Sequence, residues 1–514
     1  MKKHLFLLLT ALGFGLSSCN EYLDINADPS FPQVSDGNAL LPPIIANMAR
    51  GEAWDTRYVG KYAQYFASSA SGDTWDRHGY IFGSGDLGGE KWSTHYWRIG
   101  RNIDLMIEDG EKTQRYDLVG IAKAIRAWSW QSSTDLYGEM ILKQAWDSER
   151  YQFDFDPQED VYKEVVRLSE EALADLARTD GKEPSAATRP GDLAYKGDKT
   201  KWVKFIYSVL ARNMLHQSNK ATFNADKVIE YCDKSLASNA DNFNVTHRAS
   251  SSNDANFFGP RRGNVNTFRP TTFIIGLLDG TLSNGVLDPR LPLMFSPSPD
   301  GVYRGVTPTL GDPNNVTGNT KRIPFLFGYS PATTPTAGTG KFLFKDDAIH
   351  PIVTYAEIQF MKAEAAFRKG DRATALDAYR KGIQANIEWT NSVDVTVAPI
   401  PAAEITKYMS SKAVIQTPDA LTIRDIMLQK YIALFMHGSL ETWVDLRRFQ
   451  YDPAIYTGYF IPTGTGLFPD NQGKLVQRMR PRYNSEFIWN RVPLANIGAT
   501  LPEYHTKELW FSTK

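Results

Sequence analysis

Trp75-Asp76-Arg77-His78, followed by Tyr80, Phe82 and Trp92, gathers in one short stretch the side-chain types that hold a sugar. A sugar ring has an apolar C–H face and a fringe of hydroxyls. Aromatic planes meet the face, and Asp and Arg meet the fringe through charge-assisted hydrogen bonds. The same set would serve a peptide, with the polar groups engaging backbone amides. The competing role is structural: Trp75 and Phe82 would pin the loop to the core. A second stretch, Asn256-Phe257-Phe258-Gly259-Pro260-Arg261-Arg262, sets loop aromatics beside paired arginines. Phe257, Phe258 and Arg261 there suit either the lip of a site or a structural turn.

Catalytic chemistry has less support. The eight histidines, at 4, 78, 95, 216, 247, 350, 437 and 505, form no H-x-H or H-x-x-x-H pair, so no metal centre is expected. No G-x-S-x-G elbow occurs. The run from Gly83 to Gly89 lacks the Lys-Ser/Thr of a phosphate cradle and reads as a surface loop. No cofactor is expected. A glycosidase carboxylate pair stays open, because its separation of roughly 5 to 10 Å is spatial. Glu441, Asp445, Arg447 and Arg448 read as an ion-pair network holding the terminal helices, with Glu441 reaching toward Arg448 across two turns.

The elements that must position these residues are mostly helical. Apolar positions recur at helical spacing over 58–70, 92–108, 117–136, 159–177 and 225–238, and at Trp202, Phe205, Ile206 and Val209. Residues 20–55 read as extended by their prolines, and 71–91 as a long loop. Residues 239–349 are rich in Asn, Gly, Pro, Ser and Thr. They read as a loop-rich part that caps the scaffold and contributes to a site, with a short helix at 271–279. Helices resume at 352–369 and 371–388. There Ala363, Gly370, Ala375 and Tyr379 match the small, turn, small and aromatic positions of a tetratricopeptide unit. Residues 421–448 form the last helical region, broken near Gly438, and the tail after 450 reads as irregular.

The chain of 514 residues carries a formal net charge of -1, which argues against nucleic acid as a partner. Its two cysteines are Cys19 and Cys232. Cys232 falls in a helical pattern and reads as a small buried apolar residue. Lys2 and Lys3 precede an apolar run, Leu5 to Leu16, that is short for a membrane span and right for an export signal. The run ends in Leu16-Ser17-Ser18-Cys19, which resembles a bacterial lipoprotein box. That resemblance implies a signal peptide at 1–18 and lipid attachment at Cys19.

Several stretches together, in order, resemble the SusD/RagB family of nutrient-binding outer-membrane lipoproteins. They are CNEYLDINADPS (19–30), AKAIRAWSWQSSTDLYGEM (122–140), KWVKFIYSVLARNMLH (201–216), LDPRLPLMF (287–295), HPIVTYAEIQFMKAEAAF (350–367), QKYIALFMHGSLETWVDLRRF (429–449) and MRPRYNSEF (479–487). The chain looks closer to the shorter SusD-like branch. The resemblance implies a mainly α fold, a tetratricopeptide-like α-α superhelix with a large loop-rich insertion. It would form one SusD-like domain over 19–514, with scaffold at about 58–238 and 350–450. It also implies a non-catalytic, surface-exposed protein that captures oligosaccharide, or oligopeptide, for a SusC-like TonB-dependent β-barrel transporter. A surface glycoside hydrolase and a structural adaptor are the alternatives.

Overall fold

A computed structural model describes residues 36–514 except 84, 183–187 and 329–339. Cys19 and the lipoprotein box lie outside the described residues. Ten helices of ten residues or more make up the scaffold among them. These are α1 (Gly37–Tyr62), α2 (Gly100–Thr113), α3 (Tyr116–Tyr137), α4 (Gln158–Leu176), α5 (Lys199–His216), α6 (Ala225–Lys234), α7 (Tyr355–Lys369), α8 (Arg372–Val393), α9 (Ile423–Ala433) and α10 (Ser439–Arg448). The chain is mainly helical, as its periodicity predicts.

α1 departs from expectation. Residues 37–55 are helix rather than extended chain. Asp36 caps the helix by accepting from Asn38 N at 2.9 Å, and Leu41, Ile44, Ile45 and Met48 form a fully buried stripe. That burial outweighs the helix hydrogen bonds that Pro42 and Pro43 cannot donate. The helix stops at Tyr62, and Phe66–Ser68 is strand β1 instead of continuing helix.

The α7–α8 hairpin is built as the tetratricopeptide pattern requires. Ala363 and Ala375 are fully buried, and Gly370 closes α7 at φ 89°. A Cβ on Gly382 would lie 2.9 Å from the Phe360 ring, so the glycine sets how closely the helices approach. α9 and α10 are separated at Gly438 by a turn in which Met436 takes φ 70°.

The loop-rich part is tied in by two short antiparallel ladders. β1 pairs with β3 (Phe268–Pro270), Ala67 facing Arg269; β2 (Phe243–Val245) pairs with β4 (His350–Val353), Phe243 facing Val353. Phe295 and Phe344 of this part pack on Phe435, between α9 and α10. One hydrophobic cluster runs continuously through scaffold and loop-rich part.

Candidate functional site

Two π-turns contribute to one cavity of about 300 Å³. The first, Thr94–Arg98, lies just ahead of α2; the second, Tyr483–Phe487, lies in the C-terminal tail. A π-turn inserts an extra residue into a helix, is rare, and appears mostly at functional sites. Trp92, just ahead of the first π-turn, is 2% exposed and Trp97, within it, is 71% exposed, so a buried and an open aromatic stand five residues apart. Tyr96, Trp146 and Phe153 complete the aromatic lining, and Arg482, Ser485 and Glu486 supply the polar groups.

Trp146 has a backbone conformation that bulky residues rarely adopt, φ 61°. Its surroundings fix it there. The indole N–H donates to Tyr96 O at 2.8 Å, and the Arg126 guanidinium sits 4.1 Å from the ring centroid. A Cβ on Gly100 would meet the indole at 2.7 Å, so that glycine is needed for the ring's position. Such over-determined strain clusters at ligand sites. Glu486 accepts from Trp92 Nε1 at 3.1 Å and from Asn490 Nδ2 at 2.9 Å, and burial pushes its carboxyl above the usual range. Arg482 is committed to Asp86 at 2.5 Å.

Among the described residues of the 71–91 loop, none lines this cavity, and the loop meets only the second π-turn beside it. Phe82 is 44% exposed and packs edge-on against Tyr483 and Phe487, at 5.0 and 4.2 Å between centroids. Trp92 forms part of the cavity wall. The other members of the stretch take the loop-pinning role. Trp75 is buried against Tyr58 and Tyr80 (4.4 and 4.9 Å). Asp76 is buried, accepts from Ser68 N at 2.9 Å, and is raised to about 7 by desolvation. Arg77 donates to the carbonyls of Thr465 and Leu467 (3.0 and 2.7 Å), clamping the loop to the C-terminal tail. His78 is buried, lowered to about 3 by desolvation, and lies 3.2 Å from the Tyr459 hydroxyl. Tyr80 donates to Leu87 O at 3.1 Å.

Residues 256–262 do not join the cavity. Phe257 and Phe258 are buried, and Asn256 holds their turn by donating to Leu343 O and Lys345 O. Arg261 stays exposed beside Asp346. Among the described residues of 239–349, none lines the cavity, so that part of the loop-rich region packs on the scaffold without entering this site. Trp97, Trp146, Phe153, Arg482 and Glu486 do enter it, and the sequence reading missed them. One signal was present. Tyr96 and Trp97 set two large aromatics side by side on a helical run, about 100° apart around its axis.

A larger cavity, about 700 Å³, opens beside Lys474, Gln477, Tyr504 and Lys507. It has a single ring, Tyr504, whose hydroxyl is engaged by Arg478 at 2.7 Å. The smaller cavity therefore suits a sugar face better.

The buried charges elsewhere are scaffold. Asp135, His216 and Glu441 bring ligand-type atoms within 4.8 Å of one another. His216 already spans the two carboxylates at 3.0 Å on each side, which closes the space a metal ion would need. Burial alone would lower the imidazole, but Asp135 and Glu441 outweigh it and raise His216 to about 9, so it is held as the cation. Glu441 thus pairs with His216, and with Arg212 at 3.7 Å, rather than with Arg448 as expected. Arg448 binds Glu364 (2.8 Å) and Asp445 (2.6 Å), while Arg447 donates to Asp135 O (2.7 Å) and Gln477 O (3.0 Å). In the 287–295 block, Arg290 is fully buried and bridges Asp288, Asn386 and Gln429.

A SusD-like family model, described as "Starch-binding associating with outer membrane", matches residues 29–464. The chain belongs to this SusD-like family. No curated protein matches the sequence. Among solved structures, a chitin-binding protein is similar at 20% identity and a TM-score of 0.69, covering 93% of this chain and 99% of that one. A SusD/RagB family protein from Bacteroides thetaiotaomicron matches at 20% identity and 0.67, with the same coverage. A chitin-binding SusD homolog from Flavobacterium johnsoniae matches at 17% identity and 0.68, again over 93% and 99%. These likenesses establish the SusD fold. No helix among the described residues of this SusD-like protein is long and apolar enough to cross a membrane.

Proposed function

We propose that this SusD-like protein is a non-catalytic nutrient-binding lipoprotein, held at the outer membrane through Cys19. It captures oligosaccharide in the aromatic cavity and delivers it to a SusC-like TonB-dependent β-barrel transporter. The observation that carries this reading is the cavity lined by Tyr96, Trp97, Trp146 and Phe153, with Tyr96 and Trp97 set by one π-turn and Glu486 by the other. Rings fixed before a ligand arrives lose little entropy on binding, and their faces suit the C–H face of a sugar. The starch-binding family and two chitin-binding structural neighbours support glycan over peptide.

A hydrolase reading has less to stand on at this cavity. Glycosidases need two carboxyl groups roughly 5 to 10 Å apart across the scissile bond. Glu486 is the one carboxyl in the lining, and two hydrogen bonds already occupy it.

Calorimetric titration with starch-, chitin- and other oligosaccharides, and with oligopeptides, tests the reading. A saccharide is expected to bind, and Trp97→Ala to weaken it roughly tenfold, the equivalent of about 1.4 kcal/mol. Binding of peptides only, or release of shortened sugars, would overturn it. Isolation from outer membranes in mild detergent should bring down a large β-barrel partner; recovery of the protein alone would remove the delivery role.

A further inference from the structure

The outer face of α1 carries a group of charges that the aromatic cavity does not use. Arg50, Trp54 and Arg57 recur at intervals of four and three residues, so they share one face of the helix. Phe257 packs on Trp54 with ring centroids 5.3 Å apart. The Arg57 guanidinium lies 4.5 Å from the Trp54 ring and 5.1 Å from that of Phe257. Arg50 lies 5.9 Å from Trp54, and Arg262 lies 5.5 Å from Phe257.

Among the described residues, no carboxylate pairs with Arg50, Arg57 or Arg262. Arg57 Nε donates to Trp54 O at 3.1 Å, and Arg262 Nη1 donates to Ser252 O. The nearby acids are otherwise engaged. Asp346 accepts from Arg261 N at 2.8 Å, Asp254 is held by Ser250 and Ser251, and Asp55 is buried with its carboxyl raised to about 7 by desolvation. Burial, and then repulsion from Arg50 and Arg57, lowers the basicity of Arg262. Like charges gathered without a counter-charge cost free energy until an anion arrives.

We propose that Arg50, Arg57 and Arg262, braced on Trp54 and Phe257, bind the sulfate-ester or carboxylate groups of an anionic polysaccharide. A guanidinium offers a planar fork that meets carboxylate or sulfate through paired hydrogen bonds, and stacking on aromatic rings holds that fork in place. The group is compact, which suits a pendant anion on a sugar chain. A lipid surface calls for a broader run of about four to eight basic residues, and nucleic acid for a basic stripe. The net charge of -1 leaves no general attraction to polyanions, so any such binding must be local.

The test uses the full chain in mild detergent, with dextran sulfate and polygalacturonate as probes and neutral dextran as reference. Salt-sensitive binding to either polyanion, absent with dextran, is expected. The Arg57→Ala/Arg262→Ala pair should weaken it at least tenfold with no change in Tm, and Lys163→Ala, on an exposed ion pair with Glu159, should not. Trp97→Ala should leave polyanion binding intact, so this site and the aromatic cavity can fail separately. Equal binding by the double variant, or no binding of either polyanion, would overturn the assignment. So would arginine-dependent binding to phosphatidylglycerol vesicles without polyanion binding, which would make the face a lipid contact.

Discussion

Trp92 Nε1 donates to Glu486 Oε1 across 3.1 Å, tying the end of the 71–91 loop region to the C-terminal π-turn. The acceptor carboxyl is raised from its ordinary 4.5 by burial, so the folded protein holds a proton there more tightly than the unfolded chain does. Where the folded state binds more protons, stability falls as pH rises. This contribution is therefore retained below about 4.5 and lost as pH climbs through the folded value. Glu486→Gln keeps an oxygen for Trp92 and removes the titration. Its Tm relative to the natural protein should be more favourable at pH 7.5 than at pH 4; an equal difference at both would rule the effect out.

His216 gives the opposite experiment on a cation. Its pKa is raised from 6.5 to about 9 because the Asp135 and Glu441 carboxylates outweigh its burial. A raised imidazole stabilises fully below the unfolded value and loses that stabilisation between pH 6.5 and 9. The span corresponds to about 3 kcal/mol at roughly 1.4 kcal/mol per unit. Urea unfolding of the natural protein should weaken across that window. His216→Gln should be less stable at pH 6 and nearly flat from pH 6.5 to 9.

Arg448 is enclosed by Glu364 and Asp445, and all three are buried. Arg448→Met leaves two buried carboxylates short of a partner. Removing one member of a buried ion pair costs roughly 3 to 5 kcal/mol. Lys430 still reaches Asp445 at 2.7 Å and Arg368 still reaches Glu364 at 2.9 Å, so the loss should fall near 3 kcal/mol. Lys163→Ala, which breaks the exposed pair with Glu159, should leave the urea midpoint nearly unchanged.

How much of this was legible follows from what each residue does. The scaffold helices show in the sequence because their apolar residues repeat with the helical period, as at Trp202, Phe205, Ile206 and Val209, all buried on α5. The hairpin turn shows because Gly370 takes φ 89°, where other residues strain. The start of α1 was hidden because local proline preference was overridden by a tertiary stripe. The site was hidden for a different reason. A π-turn has no periodic signature, so Tyr483–Phe487 reads as irregular tail. Trp146 and Trp92 come together only in the fold, through Tyr96. The loop aromatics that draw the eye, Trp75 and Tyr80, are core residues in a polar-looking stretch.

Trp97 and Trp146 separate binding from stability. Trp97 is 71% exposed, and its removal costs the fold little; surface truncations of this kind usually stay within about 0.5 kcal/mol. Trp146 is partly buried, carries the hydrogen bond to Tyr96 O and supports the Arg126 guanidinium. Trp146→Ala removes most of a ring and both contacts, so it should cost on the order of 2 to 3 kcal/mol, below the 3 to 5 of a fully buried aromatic. Both variants should lose oligosaccharide affinity, while only Trp146→Ala should lower Tm. The pair is informative because the two failures would differ. If Trp97→Ala binds normally, the exposed ring is not part of the sugar platform. If Trp146→Ala keeps its Tm, the left-handed conformation at φ 61° is not being held by the contacts assigned to it.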